Sequence, residues 1–97
     1  MNEFRHRVCI PPDHPCLAGH FPGQPIVPGV LLLQQVIDAA SLWHGIDLFA
    51  RRVDNVKFLS PLRPGEVMDI TLSGERPTLH FRCECEGRLL AQGALQT

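Results

Sequence analysis

Residues 30–44, VLLLQQVIDAASLWH, decide the fold. The run holds no Gly or Pro. Pro28-Gly29 precedes it, and Gly45 follows it as the residue best suited to the left-handed turn that ends a helix. The spacing predicts a helix of about 22 Å. Its apolar residues (Val30, Leu31, Leu32, Leu33, Val36, Ile37, Leu42, Trp43) cover most of the circumference, so other structure is expected to wrap it. The polar residues Gln34, Asp38 and Ser41 follow i, i+4, i+7 spacing and make one narrow stripe.

Upstream, residues 5–10 (RHRVCI) read as a short strand closed by Pro11 and Pro12. From Pro11 to Pro28 the chain carries six prolines and two glycines, which forbids regular structure because each Pro removes a donor and restricts its predecessor. Cys16, Leu17, Phe21, Ile26 and Val27 are interleaved there. A stiff, partly apolar loop inside a small domain points to function more than to spacing. Downstream, residues 51–58, 66–73, 78–86 and 88–95 alternate apolar and polar as half-buried strands do. Pro61 with Pro64-Gly65, the stretch from Gly74 to Pro77, and Glu86-Gly87 mark the turns. The fold class that follows is α+β: one mainly antiparallel sheet curled around one buried helix.

The length, 97 residues, bounds the chain to a single domain over 1–97 with a modest core. Apolar residues at 44% and charged residues at 20% exclude a disordered chain. A net charge of −1 with a single Lys argues against a broad nucleic-acid-binding face. The longest apolar run, Val30 to Leu33, is too short to span a bilayer, and polar, arginine-rich Met1–Ile10 is not a secretory signal. Cys9, Cys16, Cys83 and Cys85 form no CxxC and read as reduced thiols of a cytoplasmic protein. His14, Cys16 and His20 lie close together in sequence, but their spacing fits no common zinc pattern, so no metal is expected.

His20-Phe21-Pro22-Gly23-Gln24-Pro25-Ile26-Val27-Pro28-Gly29-Val30-Leu31 resembles the H-F-P-G-x-P-x-x-P-G-V-L signature of the 3-hydroxyacyl-acyl-carrier-protein dehydratases (FabA/FabZ-like), which have the hot-dog fold. Lys57-Phe58-Leu59-Ser60-Pro61-Leu62-Arg63-Pro64-Gly65-Glu66 is similar to that family's K-F-x-x-P-x-x-P-G-D stretch, at the expected distance downstream. The resemblance runs from about Arg7 to Ala94, so the chain looks like a minimal hot-dog unit. It implies a dimer in which the loop histidine and the helix carboxylate meet across subunits. It also implies an acyl substrate carried on the phosphopantetheine of an acyl carrier protein, with no other cofactor. Arg51, Arg52, Lys57 and Arg63 are candidates for a small basic patch facing that acidic carrier, or are plain solvated surface.

Dehydration of a 3-hydroxyacyl thioester needs a base at C2, an acid for the departing C3 hydroxyl, and a hold on the thioester carbonyl. By resemblance His20 is the base, and its imidazole titrates near neutrality. Gly29 and Val30 open the helix with N–H groups that have no intrahelical partner. By resemblance Gly29 N–H is expected to polarise the carbonyl, with Phe21, Pro28 and Leu33 expected beside the substrate. At position 34 the family places a carboxylate and this chain has Gln34, which cannot cycle a proton at neutral pH. Such acid–base help is typically worth ~10² to 10⁴ in rate. Asp38, one turn further on the same stripe, is the candidate replacement acid, and His14 is a lesser one. The main expectation is thus a dehydratase forming a trans-2-enoyl thioester. The alternatives are a degenerate acyl- or carrier-binding subunit that pairs with an active homologue in a heterodimer rather than with itself, and a hot-dog thioesterase.

Overall fold

The computed structural model describes residues 3–13, 26–48 and 50–97. They form β1 (Glu3–Cys9), α1 (Gly29–His44), β2 (Arg52–Phe58), β3 (Val67–Glu75), β4 (Thr78–Cys85) and β5 (Arg88–Gln96). The strands make one sheet in the order β1-β3-β4-β5-β2, and every neighbouring pair is antiparallel. The expected elements are all present and differ only at their ends. β1 begins two residues earlier than expected, at Glu3, and β3 ends two residues later, at Glu75. The β3–β4 ladder runs on through Gly74↔Leu79 and Glu75↔Thr78, leaving Arg76-Pro77 alone in a turn expected to begin at Gly74. The Glu86-Gly87 hairpin forms as expected. Both residues have positive φ, 50° and 78°, as a two-residue type I′ turn requires.

Alternation along the strands builds the core. Met68, Ile70 and Leu72 of β3 and Leu79, Phe81, Cys83 and Cys85 of β4 are buried on one face, and the register sets Leu72 against Phe81 and Ile70 against Cys83. Leu31, Leu32, Val36, Ala39 and Ala40 of α1 complete it. Each large apolar side chain buried there is worth roughly 1.5–3 kcal/mol. Cys83 and Cys85 therefore share one strand face, as their spacing predicted, and with exposed Cys9 they are free thiols.

β1 and β2 are the two edges of the sheet, so the helix between them in sequence lies across one face. A single five-stranded sheet reaches only one side of a cylinder. Val30 stays 79% exposed and Leu42 59%, and Gln34 and Asp38 are exposed between them. The four residues follow i, i+4 spacing and form one open row on α1. Ser41, expected on the same polar stripe, is used at the helix exit: its Oγ accepts the Leu48 N–H at 3.0 Å. Gly45, at φ 68°, ends the helix with its N–H on the Ser41 carbonyl. Trp43 is a packing residue, stacked on Phe4 of β1 at 5.9 Å between ring centroids and 10° between planes. No helix among the described residues is long and apolar enough to cross a membrane. No cluster of metal-ligating side chains occurs among them.

Candidate functional site

The site is built where two irregular pieces of chain meet the start of α1. The segment 59–66 leaves β2 with its Leu59 and Ser60 N–H groups on the Leu90 carbonyl (2.8 and 3.3 Å). Pro61, Pro64 and Gly65, the last at φ 90°, keep it out of the sheet, and the Gly65 N–H ends it on the Ile10 carbonyl at 2.8 Å. Midway, the Leu62 carbonyl accepts the Val27 N–H at 2.7 Å. That bond fixes the chain just before α1. Between the two lies an open groove of about 480 Å³ lined by Ile26, Val27, Gly29, Leu32 and the run from Phe58 to Leu62. Its walls are mainly apolar, with Ser60 the polar side chain among the lining residues, which suits a hydrocarbon chain.

The groove ends on the helix N-terminus. Among the described residues no side chain caps it. The Pro28 carbonyl accepts the Leu31 and Leu32 N–H groups at 3.0 and 3.1 Å, while the Gly29 and Val30 N–H groups stand where a helix offers no internal acceptor. The positive end of the helix dipole adds to their pull on an oxygen gaining negative charge. Phe58 reaches the same spot from β2. It pairs with Ala91, on the helix side of the sheet, and a Cβ on Gly29 would stand 2.9 Å from its Cζ. Glycine at position 29 therefore admits an aromatic ring as well as exposing the backbone.

One turn along, Gln34 Nε2 donates to Asp38 Oδ1 at 3.0 Å. The pair lies on the open row, away from the groove-lining face that carries Gly29 and Leu32. Amide and carboxylate thus form one unit with a free carboxylate oxygen. Of the residues expected to bind substrate, the structure places Gly29 in the groove. Pro28 is the N-cap, Leu33 packs half-buried against the core, and Val30 is exposed on the open row. His14, His20 and Phe21 lie outside the described residues.

Arg88 and Glu66 were not legible as a pair. Arg88 Nη1 donates to the Pro61 carbonyl at 2.8 Å and to Ser60 Oγ at 3.1 Å, and Nη2 reaches Glu66 Oε2 at 3.3 Å. Glu66 Oε1 accepts the Arg63 N–H at 2.8 Å. That bond, with the Arg88 and Arg63 charges and against the cost of burial, holds the Glu66 carboxyl below the usual carboxylate range. The Cys85 thiol, raised chiefly by burial, donates to the other Glu66 oxygen at 3.8 Å. The acidic end of the P-x-x-P-G-E stretch was the only sequence signal. Arg51, Arg52, Lys57 and Arg63 are all exposed. Arg52 is paired with Asp54 at 2.8 Å at the start of β2, Lys57 stands near its other end, and Arg63 sits in the segment beyond.

A single long helix laid across a five-stranded antiparallel sheet, with its uncapped N-terminus at an apolar groove, defines a hot-dog protein. A solved point mutant of the fluoroacetyl-CoA-specific thioesterase FlK, 14% identical and with a TM-score of 0.71, shares that fold over 97% of this chain and 82% of its own. The model of the ApeI-like family, described as ApeI dehydratase, matches residues 1–94, and the chain belongs to that family. It is similar to the dehydratase heterocomplex ApeI:P of Xenorhabdus doucetiae, with a TM-score of 0.84 and 25% identity over 98% of this chain and 86% of that one. It is also 30% identical, over 82 residues, to the 3-hydroxyacyl-[acyl-carrier-protein] dehydratase FabZ of a Caulobacter species, covering 73% of this chain and 50% of that protein. The chain spans about half the length of the curated relatives it matches.

Proposed function

We propose that the protein is a hydro-lyase subunit that removes water from a 3-hydroxyacyl thioester carried on an acyl carrier protein, giving the trans-2-enoyl thioester. The observation that carries this reading is the apolar groove ending on the uncapped N-terminus of α1. An acyl chain lies in the groove, and its thioester carbonyl meets the Gly29 N–H as enolate charge develops. His20 takes the C2 proton. Asp38, held by Gln34, gives a proton to the C3 hydroxyl, which leaves as water. Membership of a dehydratase family supports the reaction class. Phe21 flanks the substrate in this reading, and no cofactor beyond the carrier's phosphopantetheine takes part.

The Gln34–Asp38 pair faces away from the groove-lining side of its own helix. The reading therefore needs a second subunit, so that the acid on one helix serves the histidine and groove of the other. The solved heterocomplex of the similar protein supports pairing with an unlike subunit. Gln34 in place of the family carboxylate favours a second reading, in which this chain is the degenerate partner of an active homologue. Among the described groove-lining residues there is no carboxylate to activate the water that thioester hydrolysis needs.

Mass spectrometry of carrier-bound 3-hydroxyacyl thioester separates the readings, using wild type, His20→Ala, Asp38→Asn and Gln34→Glu. Turnover by wild type that drops ~10² to 10⁴-fold in both His20→Ala and Asp38→Asn supports the enzyme with a relocated acid. An inactive wild type that gains activity with Gln34→Glu identifies a degenerate subunit instead.

A further inference from the structure

We infer that Arg88 is a positioning residue for the groove, acting through the segment 59–66 on the backbone that leads into α1. That segment has no strand partner along its middle. Among the described residues its main-chain bonds to the rest of the chain lie at its ends, on Leu90 and Ile10, and at Leu62, where it holds Val27; within it the Arg63 carbonyl accepts the Glu66 N–H at 3.1 Å. Between these points one guanidinium ties it together: Ser60 Oγ and the Pro61 carbonyl on one nitrogen, Glu66 on the other. Glu66 in turn holds the Arg63 N–H. Arg88 therefore grips both limbs of the segment on either side of Leu62.

The geometry requires arginine. A planar fork with fixed N–H directions serves two separated acceptors at once, whereas a lysine ammonium is a single point that serves one limb. Arg88 can do this because the Glu86-Gly87 turn delivers it as the first residue of β5, at the sheet end from which segment 59–66 departs. Both members of the ion pair are only partly exposed, Arg88 38% and Glu66 31% by side chain. The chain of contacts is Arg88 to segment 59–66, Leu62 to Val27, then Pro28 and the Gly29 N–H. Loosening the clamp widens the groove and lets the helix entry drift, so substrate affinity suffers before the chemical step does.

The positioning claim stands on geometry. Its effect on turnover rests on the dehydratase reading above, so the test has a readout that needs no activity. Amide hydrogen exchange is followed in wild type, Arg88→Lys, Arg88→Ala, Glu66→Gln and the control Arg7→Ala, which breaks a comparable pair with Asp69 (2.8 Å) on the outer sheet face. The three clamp variants are expected to raise exchange at Val27 by about tenfold. Ile70 and Phe81, deep in the β3–β4 ladder, are expected to keep wild-type rates, and Arg7→Ala to leave Val27 alone. On carrier-bound 3-hydroxyacyl thioester, Arg88→Lys is expected to raise KM about tenfold with kcat nearly kept. Unchanged exchange at Val27 in Arg88→Ala overturns the inference. So does a uniform rise that includes Ile70 and Phe81, which marks a general stabiliser. If wild type shows no turnover while Val27 responds, the dehydratase reading fails and the positioning role stands.

Discussion

The ring of Phe58, the last residue of β2, lies directly against the Cα of Gly29, the first residue of α1. The atom nearest an added methyl is the far end of a side chain that is itself 54% exposed. It can swing aside into the open groove at little cost. Gly29→Ala is therefore expected to change stability by no more than about 1 kcal/mol, since better helix propensity offsets the contact. It should nevertheless reduce acyl binding by pushing the ring into the groove. Urea melts and acyl-chain titrations check both halves. Adding Phe58→Ala to Gly29→Ala should restore binding.

Gln34→Glu replaces the Gln34–Asp38 hydrogen bond with two carboxylates one turn apart. Repulsion at i, i+4 on an exposed face costs about 0.5 kcal/mol. The loss should be present at low ionic strength and shrink in about 1 M salt, where the repulsion is screened. Urea denaturation of wild type and variant at the two salt concentrations measures it. An equal loss at high salt would contradict the charge explanation.

Glu66 makes a different acid-side prediction. Its folded pKa is depressed, so its contribution to stability is fully present above the ordinary carboxylate pKa and is lost as pH falls through the lower, folded value. Glu66→Gln should flatten that part of the acid limb. Thermal midpoints of the two proteins should converge as pH drops below the usual carboxylate range. Curves that stay parallel throughout would remove the linkage.

Burial pushes the Cys83 thiol up to about 12, whereas Cys9 is exposed. Thiolate is the reactive form. At pH 8, Cys9 should react with a thiol reagent within minutes, and Cys83 should react only on unfolding. Peptide mapping by mass spectrometry tells them apart.

The open row on α1 predicts association. Val30→Glu combined with Leu42→Glu places charge on two exposed positions and should cost the isolated fold little. It should shift sedimentation of a multi-subunit species toward the single chain. Unchanged sedimentation would place the contact elsewhere.

Much of the fold was legible because its signals are local. Pro28-Gly29 and Gly45 bracket the helix, period-two alternation marks the strands, and Glu86-Gly87 has the residues its turn requires. What escaped was relational. The helix reads as apolar nearly all round; the polar pair Gln34 and Asp38 marks its open side, but that Val30 and Leu42 share that side had to come from structure. Gly74 reads as a turn residue but stays in the ladder, because its partner Leu79 supplies the pairing. In the site, Gly29 and the Phe58 stretch were visible as motifs, and Gln34–Asp38 as helical spacing. The Arg88 clamp joins residues far apart in sequence with no spacing rule to betray it.

The strand order has a kinetic consequence. β3, β4 and β5 form a meander of near neighbours joined by two tight turns, whereas β1 must reach β3 from the far end of the chain and β2 pairs only with β5. Short loops close fast and long ones slowly. The meander is thus expected to form first and the two edges to dock late, with the helix spanning between them. Late-docking edges are also the first to open, and pulse-labelling during refolding should show β1 and β2 amides protected after those of β4. The rim available to another chain's strand would then be the part of the fold that stays unfinished longest.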